Sequence, residues 1–184
     1  MIAGGRLIAV LLIAAWIFTG PAATPAMAQA ASGGSLEYSV KANYLVRFAA
    51  FVEWPPRAFA NGEAPVVICV AGRDPFGATL DRAARGQTAH GRPLTVRRAA
   101  TRESVAGCHI LYVGAGAEAL ITTAAGQPGL LMVTDAATAP VRGTIHFALS
   151  EARVRFHIDQ QAATRSGLGI SSRLLNLALS VRTG

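Results

Sequence analysis

The sequence predicts a three-layer α/β domain, Rossmann-like in outline, with flanking helices, a mostly parallel sheet and a C-terminal antiparallel hairpin. Apolar strand-like segments alternate with helical segments along most of the chain, and this order is typical of parallel strands joined by helical crossovers. Two alternating segments, 143–149 and 154–158, then follow one another closely and predict the hairpin. Residues 29–184 are expected to form one domain, because a chain of this length usually buries a single core.

The first 28 residues are expected to be a signal peptide. Arg6 supplies a short positively charged N-terminal region, and an apolar run follows over residues 7–19. Ala26-Met27-Ala28 then resembles the Ala-x-Ala motif at which signal peptides are cleaved. The apolar run is shorter than the roughly 20 residues that span a bilayer. An uncleaved N-terminal anchor is the alternative. We therefore expect an exported protein that is not embedded in the membrane.

Helices are predicted where apolar residues recur at spacings of three and four. The first helix begins near Leu36, and its apolar face includes Tyr44 and Phe48 but leaves Lys41 outside. It ends before Pro55, because proline lacks the backbone amide hydrogen and restricts the residue before it. The later helices are predicted over residues 74–85, 101–106, 115–125 and 171–182.

Four strands are predicted between these helices. Each is a short run rich in β-branched or apolar residues and bounded by Gly, Pro or a polar residue. They cover residues 65–72, 93–98, 108–113 and 129–134. In the hairpin that follows, a four-residue loop over residues 150–153 aligns the two apolar faces and places His146 opposite His157. A two-residue loop would instead place Arg155 opposite His146.

The excess of basic over acidic residues has two explanations: it keeps the protein soluble, or it binds an anionic partner. The chain has 17 Lys and Arg against 10 Asp and Glu, and loss of Arg6 with the signal peptide leaves a net charge of about +6. An acidic protein domain, an envelope polymer or a nucleotide would suit such a surface. Nucleic acid is not an expected partner, because export separates the protein from it.

Cys69 and Cys108 are the two cysteines of the chain. An even count in an exported protein favours a disulfide, and both residues lie in or beside predicted strands. Two buried free thiols are the alternative. A metal site is less favoured, because no Cys-x-x-Cys motif or close histidine accompanies both cysteines.

The familiar catalytic and cofactor motifs are incomplete. Gly114-Ala-Gly116 follows a strand, but the third glycine of a dinucleotide-binding turn is missing, so an ordinary turn is expected. Ser171 and Ser172 are better explained as helix caps than as nucleophiles. His146, His157 and Asp159 could approach a zinc site only with favourable geometry, and a solvated polar face is favoured. We expect no cofactor, metal or catalytic residue.

Short motifs in a fixed order cover nearly all of residues 29–184. They are Val40–Leu45, Phe51–Pro55, Ile68–Val70, Asp74–Gly77, Gly91–Leu94, Cys108–Leu111, Val133–Asp135, Gly143–Phe147 and the C-terminal block Arg153–Val181. Together they resemble the YfiR family of small periplasmic proteins. This resemblance implies a non-enzymatic, typically dimeric protein that binds the periplasmic domain of an inner-membrane diguanylate cyclase and represses it. Lower cyclic di-GMP, biofilm and exopolysaccharide output would follow.

The resemblance also implies site residues and partners. Cys69 and Cys108 match a disulfide-forming pair of the family, and an OmpA-like outer-membrane lipoprotein is a possible second partner. A ligand pocket proposed in the family corresponds to residues 165–172, although Gly169 and Ser171 replace basic side chains of some members. A periplasmic ligand-binding sensor is the alternative function, and a small hydrolase is a third. The candidates for partner or ligand binding are Asp159, Arg165, Ser171, Ser172 and Arg173.

Overall fold

A computed structural model describes residues 26–99 and 103–184, with side chains from 36–99 and 104–184. Residues 1–25, which hold most of the predicted signal peptide, lie outside the described residues, so the signal peptide stays a prediction. The described chain is the expected mixed α/β domain with helices on both faces of a mostly parallel sheet.

In the described part of the chain, five α-helices and two short 3-10 helices form the helical layers. The α-helices are α1 Ala26–Phe51, α2 Ala78–Ala84, α3 Ala119–Thr123, α4 Gln160–Arg165 and α5 Ser172–Leu175, and the 3-10 helices are Pro56–Ala58 and Glu103–Val105. Within residues 26–99 and 103–184, no helix has both the length and the apolar character needed to cross a bilayer.

The strands of the described chain are β1 Val52–Glu53, β2 Val66–Ala71, β3 Thr88–Ala89, β4 Arg92–Ala99, β5 Ile110–Val113, β6 Leu131–Asp135, β7 Ile145–Ser150, β8 Arg153–Asp159, β9 Gly169–Ile170 and β10 Ser180–Arg182. Eight of them form the main sheet, in the order β10-β8-β7-β6-β5-β2-β4-β3, and β1 pairs separately with β9. In the main sheet, neighbouring strands run parallel except in the β7–β8 and β3–β4 pairs, which are antiparallel.

The central strands are buried on both faces, which explains their continuous apolar sequence. Successive side chains of β2 point to opposite sides: Ile68 and Val70 contribute to the core beneath α1 and α2, and Cys69 contributes to the core beneath α3. Phe48 of α1 stacks on Phe147 of β7 in the larger core, with ring centroids 5.8 Å apart. The three predicted layers are therefore present.

The hairpin register is the one that aligns its two apolar faces. His146 lies opposite His157, and Ser150 pairs with Arg153. The turn contains only Glu151 and Ala152, so the expected loop over residues 150–153 is wrong, although the register that it implied is correct. Both turn residues have positive φ angles, of 51° and 56°. This is the geometry of a type I′ turn, whose twist matches that of the flanking strands although glycine and asparagine suit it better.

The helix predicted over residues 171–182 is wrong. Helix α5 ends at Leu175, and Ser180–Arg182 instead forms β10, parallel to β8. The amide of Leu179 donates to the carbonyl of Phe156 and leads the chain onto the open edge of β8. Leu179, which precedes β10, is 43% exposed rather than part of a helix face in the core. Pairing with an otherwise unpaired strand edge outweighs the local helical spacing.

Two other expectations need correction. Helix α1 begins at Ala26 rather than near Leu36, and it ends at Phe51, where the chain leaves the helix to pair with β9. The helix predicted over residues 74–85 begins only at Ala78, because the Asp74 carboxylate accepts from the amides of Phe76 and Gly77 in a local turn.

Candidate functional site

A disulfide joins Cys69 of β2 to Cys108, which lies just before the neighbouring strand β5. Their Cα atoms are 5.8 Å apart, within the usual bridging range, and both residues are buried. The guanidinium of Arg97 on β4 donates to the carbonyl of Ala106 at 2.6 Å and lies 3.1 Å from the Cys108 sulfur. The bridge links two central strands of the sheet beneath α3.

The Asp159 carboxylate joins the end of β8 to the start of α4 and to β10. It is the N-cap of α4, accepting from the amide of Ala162 at 2.8 Å, and its other oxygen accepts from the guanidinium of Arg182. Burial by itself raises the pKa of Asp159, but these two bonds outweigh it, so the pKa lies below its ordinary value. Asp159 is therefore ionised and already paired.

A polar groove lies beside this carboxylate, along the hairpin and the last strand. Two adjoining cavities of about 280 and 260 Å³ share Arg142, Asp159 and Arg182 in their walls. His146 and His157 line the first cavity, and Arg165 lines the second. We call the two cavities together the hairpin groove.

The two histidines of the hairpin are neighbours on one face, as in the first of the two expected registers. Their ring centroids are 6.4 Å apart. The Nδ1 atom of His146 lies 2.8 Å from the hydroxyl of Thr134, and that of His157 lies 2.7 Å from the hydroxyl of Ser180. Burial, followed by the positive charge of Arg142, lowers the pKa of both imidazoles. Both rings are therefore neutral near pH 7.

The geometry does not bring the histidines and Asp159 together as ligands of one ion. In the part of the chain that the structure describes, no three His, Cys, Asp or Glu side chains are grouped so as to hold a metal. The Asp159 oxygens are occupied by Ala162 and Arg182, and Arg142 adds positive charge beside both imidazoles.

The remaining candidates lie outside the groove. Ser171 is the N-cap of α5, and its hydroxyl accepts from the amide of Leu174 at 3.4 Å. Ser172 and Arg173 are exposed on the first turn of that helix. None of the three lines either cavity. The structure thus groups Asp159 with Arg165 and separates both from Ser171, Ser172 and Arg173.

Sequence reasoning missed Arg142 and Arg182 as groove residues. Arg142 lies in the loop before β7, where no sequence pattern distinguishes it, and Arg182 was assigned to a helix. The alternation of Ser180, Val181 and Arg182 was the available signal for a strand, since it places the serine and the arginine on one face.

A second polar cluster lies between α1 and the sheet, and all of its members except Glu37 are fully buried. Lys41 was expected outside the apolar face, but it is 1% exposed, and its ammonium donates to Asp135 at 2.6 Å and also to Glu37. The Tyr112 hydroxyl donates to the same Asp135 oxygen at 3.2 Å. Burial by itself lowers the pKa of Lys41, but its bonds to the two carboxylates raise it above the ordinary value. This cluster fixes α1 on the sheet.

His109, just before β5, has a structural role. It is buried, its Nδ1 accepts from the amide of Val67 at 3.1 Å, and its Nε2 lies 3.0 Å from the carbonyl of Ala58. Burial lowers the pKa of the imidazole. The ring is therefore a neutral bridge between β2 and the 3-10 helix Pro56–Ala58.

The fold and the groove define a small disulfide-linked α/β domain with a positively charged cleft. A sequence model of the family described as YfiR/HmsC-like matches residues 38–179, and the chain belongs to that family. The family indicates a periplasmic regulator of diguanylate cyclases. A search of curated proteins found no match.

Proposed function

We propose that this protein is a non-enzymatic periplasmic repressor that binds the periplasmic domain of an inner-membrane diguanylate cyclase and lowers cyclic di-GMP. The observation that carries the proposal is the family match over residues 38–179, which spans most of the described domain. Export by the predicted signal peptide would bring the protein to the same compartment as that sensing domain.

The side-chain geometry supports binding rather than catalysis. A catalytic serine needs an adjacent base that a third group orients. The Ser171 hydroxyl is engaged as a helix cap. The Ser180 hydroxyl does contact the His157 imidazole, but the nearby Asp159 carboxylate is bonded to Ala162 and Arg182 rather than to that ring. The disulfide and the buried Lys41–Asp135 pair stiffen the scaffold without adding exposed reactive groups. Such a scaffold suits a protein that acts by holding a partner in one state.

The proposed docking surface includes the exposed arginines of α4 and α5. Arg165 and Arg173 are both exposed, and neither forms an ion pair within the described residues. Unpaired exposed arginines favour an acidic partner surface, because complementary charge accelerates association and disfavours wrong partners. A homodimer, and sequestration by an OmpA-like outer-membrane lipoprotein, are further parts of the proposal that rest on family resemblance.

Capture of the partner from the native membrane tests the docking surface. Mature tagged protein is crosslinked in cells, and the captured proteins are identified by mass spectrometry. We expect the wild-type protein to capture a membrane diguanylate cyclase. The variant Arg165→Glu/Arg173→Glu should capture at least tenfold less of it, since close charge pairs at an interface contribute about 1.5 kcal/mol or more to binding. Arg153→Glu is the matched control, because Arg153 is exposed about 20 Å away at the other end of β8.

No cyclase among the captured proteins would contradict the proposed function. Equal capture by the double variant and the Arg153→Glu control would instead refute the docking surface alone.

A ligand-binding sensor is the second candidate, and the hairpin groove favours it. A sensor would show ligand-dependent thermal stabilisation and would capture no cyclase. The two functions are therefore separated by the same crosslinking experiment.

A further inference from the structure

We propose that the hairpin groove is a binding site for a small oxyanion ligand, a phosphate or carboxylate group held among Arg142, His146 and His157. The inference rests on the groove alone and stands whether or not the protein represses a cyclase.

The groove carries more positive than negative charge. Three arginines line it, Arg142, Arg165 and Arg182, against the single carboxylate of Asp159. That carboxylate is engaged with Arg182 and the N-terminal turn of α4, and Arg165 is close enough to help lower its pKa. Among the residues that the structure describes, no acidic side chain forms an ion pair with Arg142. An anion in the first cavity would therefore meet the Arg142 guanidinium without competition from a protein carboxylate.

Hydrogen bonds behind the groove orient His146 as a donor toward it. Thr134 is fully buried, and its hydroxyl oxygen already accepts from the amide of Gly143 at 2.8 Å. The hydroxyl proton then has the Nδ1 atom of His146, 2.8 Å away, as its acceptor. A neutral imidazole that accepts at Nδ1 carries its proton on Nε2. His146 therefore has a fixed N–H donor on the opposite side of the ring.

This donor has no protein partner and reaches the cavity. Within the described residues, every fully buried side-chain nitrogen or oxygen has a hydrogen-bond partner. Since Nε2 of His146 has none, this atom is not fully buried, although the residue as a whole is only 5% exposed. The Nε2 atom is therefore reached from the cavity that the ring lines. The imidazole is fixed by the hydrogen bond at Nδ1, while its Nε2 faces the cavity. Because the ring is already oriented, binding a ligand there costs little side-chain entropy.

His157 adds a second imidazole from the neighbouring strand. The Ser180 hydroxyl holds its Nδ1 side at 2.7 Å, so the other ring nitrogen is available beside His146. The first cavity, of about 280 Å³, has room for a phosphate or carboxylate group with a few attached carbon atoms. Leu130 and Met132 in the adjoining cavity offer an apolar surface for those atoms.

A cation fits the same residues poorly. Arg142 lies close enough to lower the pKa of both imidazoles, so it would repel a metal ion held by them. Two histidines also fall short of the three protein ligands that zinc sites normally provide. The charge and the donor geometry therefore both favour an anion.

Titration of the mature full-domain protein with inorganic phosphate and with succinate tests the site. Binding is followed by calorimetry and by the imidazole signals in NMR at constant pH and ionic strength, with sodium chloride as the reference salt. We expect saturable binding of at least one probe, with shifts in the His146 and His157 signals. Phosphate-selective binding indicates a phosphate-bearing ligand, and succinate-selective binding indicates an organic acid.

Arg142→Gln is the decisive variant, since Arg142 is exposed in a loop and its loss should not affect folding. We expect affinity to fall ten- to a hundredfold, the range for a lost charge-assisted hydrogen bond. Arg153→Gln, at the distant end of the hairpin, should bind as wild type does. The inference is overturned if neither probe shifts the two imidazole signals, or if Arg142→Gln binds with unchanged affinity.

Discussion

Reduction of the Cys69–Cys108 bridge should remove about 4 kcal/mol from the free energy of unfolding. The two cysteines are separated by 39 residues. In the chain-entropy model, closing a loop of this length lowers the entropy of the unfolded chain by about 13 cal/mol/K, or about 4 kcal/mol at 25 °C. Since whole domains are stable by about 5–15 kcal/mol, the bridge supplies a large share.

Urea unfolding of oxidised and reduced wild-type protein measures this contribution without changing any side chain. Trp54 is the one tryptophan of residues 29–184, and it is part-buried with its indole N–H bonded to the carbonyl of Gly129, so its fluorescence reports unfolding. With an m-value of about 2 kcal/mol/M, the urea midpoint should fall by about 2 M on reduction.

The variant Cys69→Ala/Cys108→Ala is the control for the reductant, because its own midpoint should not respond to reduction. Equal midpoints for oxidised and reduced wild type would refute the reasoning. The bridge would then add nothing to the stability of the scaffold.

Three further predictions concern stability. Lys41→Met should cost about 3–5 kcal/mol in urea unfolding, because Asp135 is left buried and unpaired. Lys41→Met/Asp135→Asn should recover at least half of that loss, and no recovery would show that charge pairing is not the cause. Burial lowers the pKa of His109 in the folded protein, so the unfolded chain takes up a proton on this residue at higher pH than the folded one does. The free energy of unfolding should therefore keep its full value above about pH 6.5 and fall as the pH drops below it. In His109→Gln this acid dependence should be weaker, and an unchanged pH profile would contradict the role assigned to the imidazole. Glu151→Asn/Ala152→Gly should raise the free energy of unfolding by about 1 kcal/mol, because both positions have positive φ, and a lower melting temperature would count against the type I′ assignment.

The sheet and hairpin were predictable because their signals are local. The central strands are short apolar runs, and the alternation of Ile145 and Phe147 with Phe156 and Ile158 predicts which face of each hairpin strand is buried. The sequence left either His157 or Arg155 opposite His146, and the structure has His157 there.

The misassigned elements depend on contacts that the local sequence does not contain. Residues 174–179 have leucines at helical spacing, yet β10 forms because the edge of β8 is available to pair. Lys41 is buried because Asp135, 94 residues further on, lies under it. The short helix α4 was missed, since its six residues give little periodicity and its cap, Asp159, was considered only as a ligand.

The candidate site was predictable only in part for the same reason. Asp159 and Arg165 were chosen from the C-terminal segment and do meet in the hairpin groove. Arg142 and Arg182 reach it only through the β6–β7 crossover and the pairing of β10 with β8. Such convergence of distant segments has no signature in one sequence.

The most direct test of the central claim is the cyclic di-GMP content of cells that lack the gene. Nucleotide is extracted and quantified by mass spectrometry in the deletion strain, in the parent and in a strain complemented with the wild-type gene. A repressor of a diguanylate cyclase predicts a rise in the deletion strain that complementation reverses. Unchanged cyclic di-GMP in all three strains would contradict the account.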